Sequence, residues 1–263
     1  MPATYAHYRF GKLLLPHLPA DVRQCIQRFR RMYDLGLQGP DFFFFYNPFV
    51  RTATVKLGSV FHHQTGQEFF SVACKAATSD AAKAYLYGLL GHYCLDSTCH
   101  PFINRLVEIE EAKHIPLESE FERFLLALDG EASPATYNNG KHIKLTRGEC
   151  MSIAEFYPGC TGGKVSRGFR FMAWFAKFLS HPNRARQTKI LETIKPGLCD
   201  YMIPAEENED LAPYIRELQD LYGQALEKYP RLLEQVLEHL QTGKALARSL
   251  HRISVKHKNG ERI

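Results

Sequence analysis

No stretch of about 18 consecutive apolar residues occurs, which excludes a transmembrane helix of ordinary length. The seven cysteines, at positions 25, 74, 94, 99, 150, 160 and 199, include no C-x-x-C pair. That absence removes the support for a zinc ribbon or a thioredoxin-like motif. Their odd number and scatter point to reduced thiols. Charge of one sign is not in excess either. Lys and Arg number 33 against 28 Asp and Glu, a formal net of +5, compatible with anionic partners without demanding nucleic acid. No internal repeat and no convincing alternation of period two is present, so an all-α chain is expected. The N-terminus lacks the basic start and apolar stretch of a secretory signal, and a cytoplasmic protein is the expectation.

What remains is the composition of an ordinary globular chain. Of the 263 residues, 45% are hydrophobic and 23% charged, which excludes collagen-like, low-complexity and disordered classes. The periodicity is helical. Asp21 reads as an N-cap for a helix over 22–33, with apolar residues at 22, 25, 26, 29, 32 and 33. A second helix is expected over 57–78. A third, over 80–99, is apolar nearly all round and therefore buried. Others follow at 117–128, 166–180 and 184–195. The segment 130–165 reads as loop-rich, with Asn138-Asn139-Gly140 and Gly162-Gly163. From 208 to 243 an amphipathic helix is started afresh or kinked at Pro230. The expectation is an all-α domain of many helices over 1–245, followed by a basic tail at 246–263.

The chemistry concentrates in that third helix. His92 and Asp96 stand four residues apart, so their side chains share one face. Burying an imidazole and a carboxylate there costs roughly 2–7 kcal/mol for an unpaired polar group, and more for a charge, unless something satisfies them. A divalent metal does so. His100 follows four residues later, but Pro101 disfavours helical geometry at His100, so the helix is expected to end there and turn His100 aside. His114 and Glu118 form a second pair one helical turn apart. A set of nitrogen and oxygen donors with open positions suits hydrolytic better than structural zinc.

Other features are open to bland readings. Gly39-Pro40-Asp41 is a turn before Phe42-Phe43-Phe44-Phe45-Tyr46, either a core segment or an aromatic wall beside Asp41. His62 and His63 precede Glu68-Phe69-Phe70, and either could be a ligand. His17, His142, His181, His239, His251 and His257 have no partner at ligand spacing and read as surface or structural residues.

The order of these motifs resembles the bacterial zinc-dependent phospholipase C family. It comprises an early His7, Gly39-Pro40-Asp41, His62 before Phe69-Phe70, then Gly91-His92-Tyr93-Cys94-Leu95-Asp96-Ser97-Thr98-Cys99-His100-Pro101, then His114-x3-Glu118. That family shares an all-α, trinuclear zinc fold with the fungal single-strand-specific zinc nucleases. The resemblance implies up to three zinc ions. His62, His92 and Asp96 would hold one, and His100, His114 and Glu118 a second. His7, Asp96 as a bridging carboxylate, and the amine of Pro2 once Met1 is removed would hold a third. Asp41 matches the family's general base, and Phe42, Phe43 and Tyr46 would line the substrate approach. The implied reaction is hydrolysis of a phosphodiester, phospholipids included, by metal-activated water attacking phosphorus. The sequence departs from the secreted members in lacking an N-terminal tryptophan ligand, since its sole tryptophan is Trp174, and in the short x3 gap between Asp96 and His100. It also lacks the lipid-binding β-sandwich found in some toxins, so peripheral membrane contact at most is implied. A nuclease or other phosphoesterase on the same metals, and a non-catalytic zinc-braced helical protein, are the competing readings.

Overall fold

Polar side chains at N-caps mark where most of the helices begin. The computed structural model describes residues 4–47, 50 and 52–246. Eleven α-helices account for most of them, and no β-strand occurs among the described residues. They are α1 (Thr4–Leu14), α2 (Ala20–Arg28), α3 (Arg30–Gly36), α4 (Ala53–His63), α5 (Gly66–Ala76), α6 (Asp80–Glu108), α7 (His114–Leu128), α8 (Arg147–Ala154), α9 (Gly162–Leu179), α10 (Arg184–Ile194) and α11 (Ala212–Thr242). The Thr65 hydroxyl accepts from Glu68 N while the Glu68 carboxylate accepts from Thr65 N, a capping box that starts α5. Thr146 and Glu149 do the same for α8. Ser79, Thr161 and Asn183 cap α6, α9 and α10.

Several boundaries differ from the expected ones, each for a physical reason. The stripe over 22–33 divides at Phe29, whose φ of −119° and ψ of 41° separate α2 from α3. Asp21 lies inside the first turn of α2, and Pro19 occupies the N-cap. The segment 57–78 is two helices, because Thr65 caps α5 rather than continuing α4. The segment 130–165 contains α8. The helix containing His92 does not end at His100. It runs through Pro101 to Glu108, with the proline exposed. The missing N–H costs one helical bond, but α6 is held by neighbours along its length, and tertiary packing overrides the local penalty. Likewise α11 runs unbroken through Pro230. Leu246, placed by sequence in the tail, is buried in the core, while 247–263 lie outside the described residues.

The buried helix α6 is the axis of the molecule, with α1, α2, α3, α5, α7, α8 and α11 against it. Its absence of a polar face is thereby explained. Helix α3 meets it backbone to backbone. A Cβ on Gly88 would stand 2.1 Å from Tyr33 O, and one on Gly36 would stand 2.2 Å from Tyr85 O. Only glycine at both positions allows this approach. Buried tyrosines tie further helices to backbone carbonyls. Tyr222 Oη donates to Ala6 O at 3.1 Å, and Tyr33 Oη to Gly11 O at 3.0 Å. Each such bond contributes about 0.5–1.5 kcal/mol and locks α1 onto the body. No helix among the described residues is long and apolar enough to cross a membrane.

Candidate metal centre

Five elements deliver eight donors to one place. Helix α6 presents His92, Asp96 and His100 on successive turns, because a four-residue step returns to the same face. Helix α1 contributes His7, the 3₁₀ turn Gly39–Phe43 contributes Asp41, α4 contributes His62, and α7 contributes His114 and Glu118. All but His114 are buried; His114, with 20% of its side chain accessible, marks the mouth.

Asp96 sits in the middle. Its Oδ1 lies 3.2 Å from His7 Nε2, and its Oδ2 lies 3.3 Å from His92 Nε2 and 3.5 Å from His100 Nδ1. Asp41 Oδ1 is 3.0 Å from His62 Nε2 and 4.0 Å from His92 Nε2. Glu118 Oε1 is 3.3 Å from His100 Nε2 and 3.1 Å from His114 Nε2. Donor atoms within 4.8 Å of one another form three groups: His62, His92 and Asp96; His100, His114 and Glu118; and His7, Asp41 and His92. The last brings Asp41 in among the ligand atoms, where the resemblance had made it a base alone. Pro2 lies outside the described residues.

The imidazoles are aimed by backbone carbonyls. His62 Nδ1 faces Gly58 O at 2.7 Å and His92 Nδ1 faces Leu37 O at 3.3 Å. Each contact places the proton on Nδ1 and leaves the Nε2 lone pair for a cation. His63 is on the other side of α4, exposed and bonded to Ser59 O at 2.6 Å, so of the two neighbours His62 is the one that reaches the centre. Gly39 has φ of +51°, a left-handed conformation, and a Cβ there would meet the His92 ring at 2.3 Å. The glycine of Gly39-Pro40-Asp41 is thus required both by the turn and by the imidazole behind it.

The donors fit a metal better than they fit one another. Four polar atoms of this cluster are buried without a hydrogen-bond partner: His7 Nδ1, His92 Nε2, Asp96 Oδ2 and Glu118 Oε2. His92 Nε2 and Asp96 Oδ2 are close, yet neither is aligned for a hydrogen bond to the other. Each orphaned atom costs about 1–3 kcal/mol, which cations bound among these donor groups would offset. The protonation states match. Burial alone would raise the carboxyls, but nearby positive charge, the facing imidazoles included, outweighs it. Asp41 is brought down to about 2, with His92 and His62 contributing, and Asp96 and Glu118 fall well below their ordinary values. Burial lowers His92 to about 4, leaving it neutral. His100 goes the other way: burial opposes its charge, but Asp96 and Glu118 raise it to about 9. Ionised carboxylates and the neutral His92 suit a divalent ion, and the negative potential that holds the His100 proton would favour a cation in its place. No cysteine belongs to these three donor groups, and burial pushes the Cys94 thiol up to about 12.

The aromatic wall is mostly core. Phe42 and Phe43 are fully buried, stacked on each other at 4.3 Å and on Phe169 and Phe61, so neither can line a substrate approach. Tyr46 is half-buried, with the Arg167 guanidinium 4.8 Å from its ring centre. The ring that reaches the centre is Phe44, 5.3 Å from that of His62.

Two residues carry weight that spacing did not single out. Glu122, one turn beyond Glu118, is buried and accepts from the backbone N–H groups of Tyr5 and Ala6. It also accepts from Asn139 Nδ2 at 2.7 Å. It therefore anchors the start of α1 beside His7, and burial pushes its carboxyl up to about 8. The E-x3-E spacing on a buried face of α7 was its signal. Tyr201, whose hydroxyl is raised by burial and then by Glu118, lies in the 3₁₀ turn Leu198–Tyr201 packed against α7. No such signal precedes it in sequence.

No family model, curated protein or solved structure matches the chain.

Proposed function

We propose that the chain is a zinc-dependent phosphodiester hydrolase of phospholipase C type. The observation that carries this reading is Asp96, one buried carboxylate set among His7, His92 and His100 with an oxygen left unpartnered. A single structural ion would not need a carboxylate shared among imidazoles from two helices. A braced fold would not need a mouth at His114 either. His62, His92 and Asp96 would hold one ion, His100, His114 and Glu118 a second, and His7 with the bridging Asp96 a third, with Asp41 in reach of His7 and His92. Bound there, the ions would supply acidified water at neutral pH and stabilise charge on phosphoryl oxygens and leaving group.

The chain's own residues prepare that chemistry. Leu37 O and Gly58 O fix the ring orientations of His92 and His62. Asp41, ionised at physiological pH, can accept a hydrogen bond from an attacking water and orient it. Burial of the donors excludes bulk solvent and strengthens each electrostatic contact. Phe44 and Tyr201 offer apolar contact to the substrate near the ligands.

The test is elemental analysis of the purified protein together with hydrolysis of p-nitrophenylphosphorylcholine and bis(p-nitrophenyl) phosphate. Bound zinc, and hydrolysis lost on chelation and restored by zinc, are expected. Bound zinc with no hydrolysis of either ester would leave only the braced-fold reading, and protein without zinc under zinc-replete conditions would remove both.

A further inference from the structure

Helix α9 turns its unusual side outward. Its inner face, Val165, Gly168, Phe169, Met172 and Ala176, is buried. At about 3.6 residues per turn, Arg167, Arg170, Phe171, Trp174, Lys177 and Phe178 all fall on roughly half the circumference, opposite that inner face. Arg167, Arg170, Trp174 and Lys177 are exposed, Trp174 with 56% of its surface accessible. The charge around it is one-sided. Residues 156–191 contain seven Lys and Arg and no Asp or Glu, while the rest of the chain has 26 basic against 28 acidic residues. A soluble surface helix ordinarily mixes both signs and hides its aromatic rings. Phe175, on the flank of this face, is in ring contact with Phe45 at 6.3 Å and with Tyr201 at 5.9 Å, so the aromatic stripe is tied to the body of the protein.

We propose that this face of α9 docks the protein on the surface of an anionic phospholipid membrane. Aromatic rings flanked by Lys and Arg are the composition of a helix lying in the interfacial plane, with the rings among the acyl carbons and the cations at the headgroups. Single-stranded nucleic acid also takes aromatic and basic residues, but it stacks bases on open ring faces. Here Trp174 is flanked along the helix by Phe171 at 5.1 Å and Phe178 at 5.6 Å, the latter nearly parallel at 14°, so the rings form one continuous apolar stripe and not separate stacking platforms. The inference stands on α9 and holds whether or not the buried centre hydrolyses anything.

Trp174 is the sole tryptophan, so intrinsic emission reports on the face directly. Vesicles of phosphatidylcholine with about 30% phosphatidylglycerol should shift that emission to the blue and carry the protein into the pellet, and phosphatidylcholine alone should bind about tenfold more weakly. The variant R170E/K177E should lose about tenfold or more in affinity for the anionic vesicles with its circular dichroism unchanged. F171S/F178S should lose sedimentation. The comparison of the two lipids on the unaltered chain stands even if a variant misfolds. Absence of a blue shift with anionic vesicles, or binding untouched by R170E/K177E in a folded protein, would overturn the proposal. So would quenching of Trp174 by an oligothymidylate of about twenty nucleotides where vesicles leave it unchanged, an outcome that assigns the face to single strands.

Discussion

Gly39 backs directly onto the imidazole of His92: a methyl group on its Cα would stand 2.3 Å from the ring carbon Cδ2. The same glycine holds φ of +51°. Gly39→Ala therefore combines about 1–2 kcal/mol of left-handed backbone strain with displacement of a ligand that has no free space behind it. The variant should melt lower and bind less zinc, the metal loss exceeding that of a surface mutation with an equal drop in melting temperature. Unchanged zinc content in a folded G39A would show that His92 is not a ligand.

Asp96→Asn keeps the shape and removes the charge that faces His7, His92 and His100. An amide offers one weak oxygen donor where a carboxylate offers two. Zinc affinity should fall by more than the roughly 10–100-fold typical of losing an outer partner. Activity should fall with it. Elemental analysis after dialysis decides the matter, and full zinc stoichiometry in D96N would exclude the bridging role.

Asp41→Asn separates two roles. A base that merely holds a water proton can be neutralised without disturbing the ions, so turnover should drop about 10²–10⁴-fold while zinc content stays. Zinc content falling in step with turnover would instead make Asp41 a ligand, a role its position with His7 and His92 allows.

How far this was legible depends on the range of the interaction. His92-x3-Asp96 and His114-x3-Glu118 stand out because a helix converts a spacing of four into a shared face, and α6 read as buried because no side of it is polar. The all-helical class followed from the same periodicity. The meeting of His7 with Asp96 is tertiary and has no local signal of its own. Phe42 and Phe43 resisted for another reason: an aromatic run after a turn has the same composition in a core as on a wall, and only the stacking on Phe169 and Phe61 distinguishes them. Pro101 misled because the local cost at His100 is real but smaller than the burial that keeps α6 helical through it.

Chelation tests the cluster as a whole. Without a cation, Asp41, Asp96 and Glu118 are buried near one another with only imidazoles to offset them. Removal of a tightly bound ion takes away its linked stabilisation. The melting temperature should fall by about 5 °C or more with a chelator and recover with zinc. A melting curve indifferent to chelator would mean that the centre is satisfied by internal contacts alone.

His142 supplies a pH dependence separate from the ligands. Its ring stacks on Tyr8 at 4.2 Å, and its Nε2 lies 3.1 Å from Gln38 Nε2, an amide that donates to it. Burial, then the charges of Arg30 and Lys141, lower it to about 3, so it is neutral in the fold. Protonation would set N–H against N–H. An unfolded histidine titrates near 6.5, so the stabilisation from this group is complete above that pH and is lost as pH falls from there towards 3. The full shift corresponds to at most about 5 kcal/mol at the acid end. His142→Gln keeps an acceptor for Gln38 but cannot be protonated. Its stability should therefore decline less than that of the unaltered chain between pH 7 and 5, although acid weakens the imidazole ligands equally in both. Parallel declines in the two proteins would mean that His142 is free to protonate where it stands.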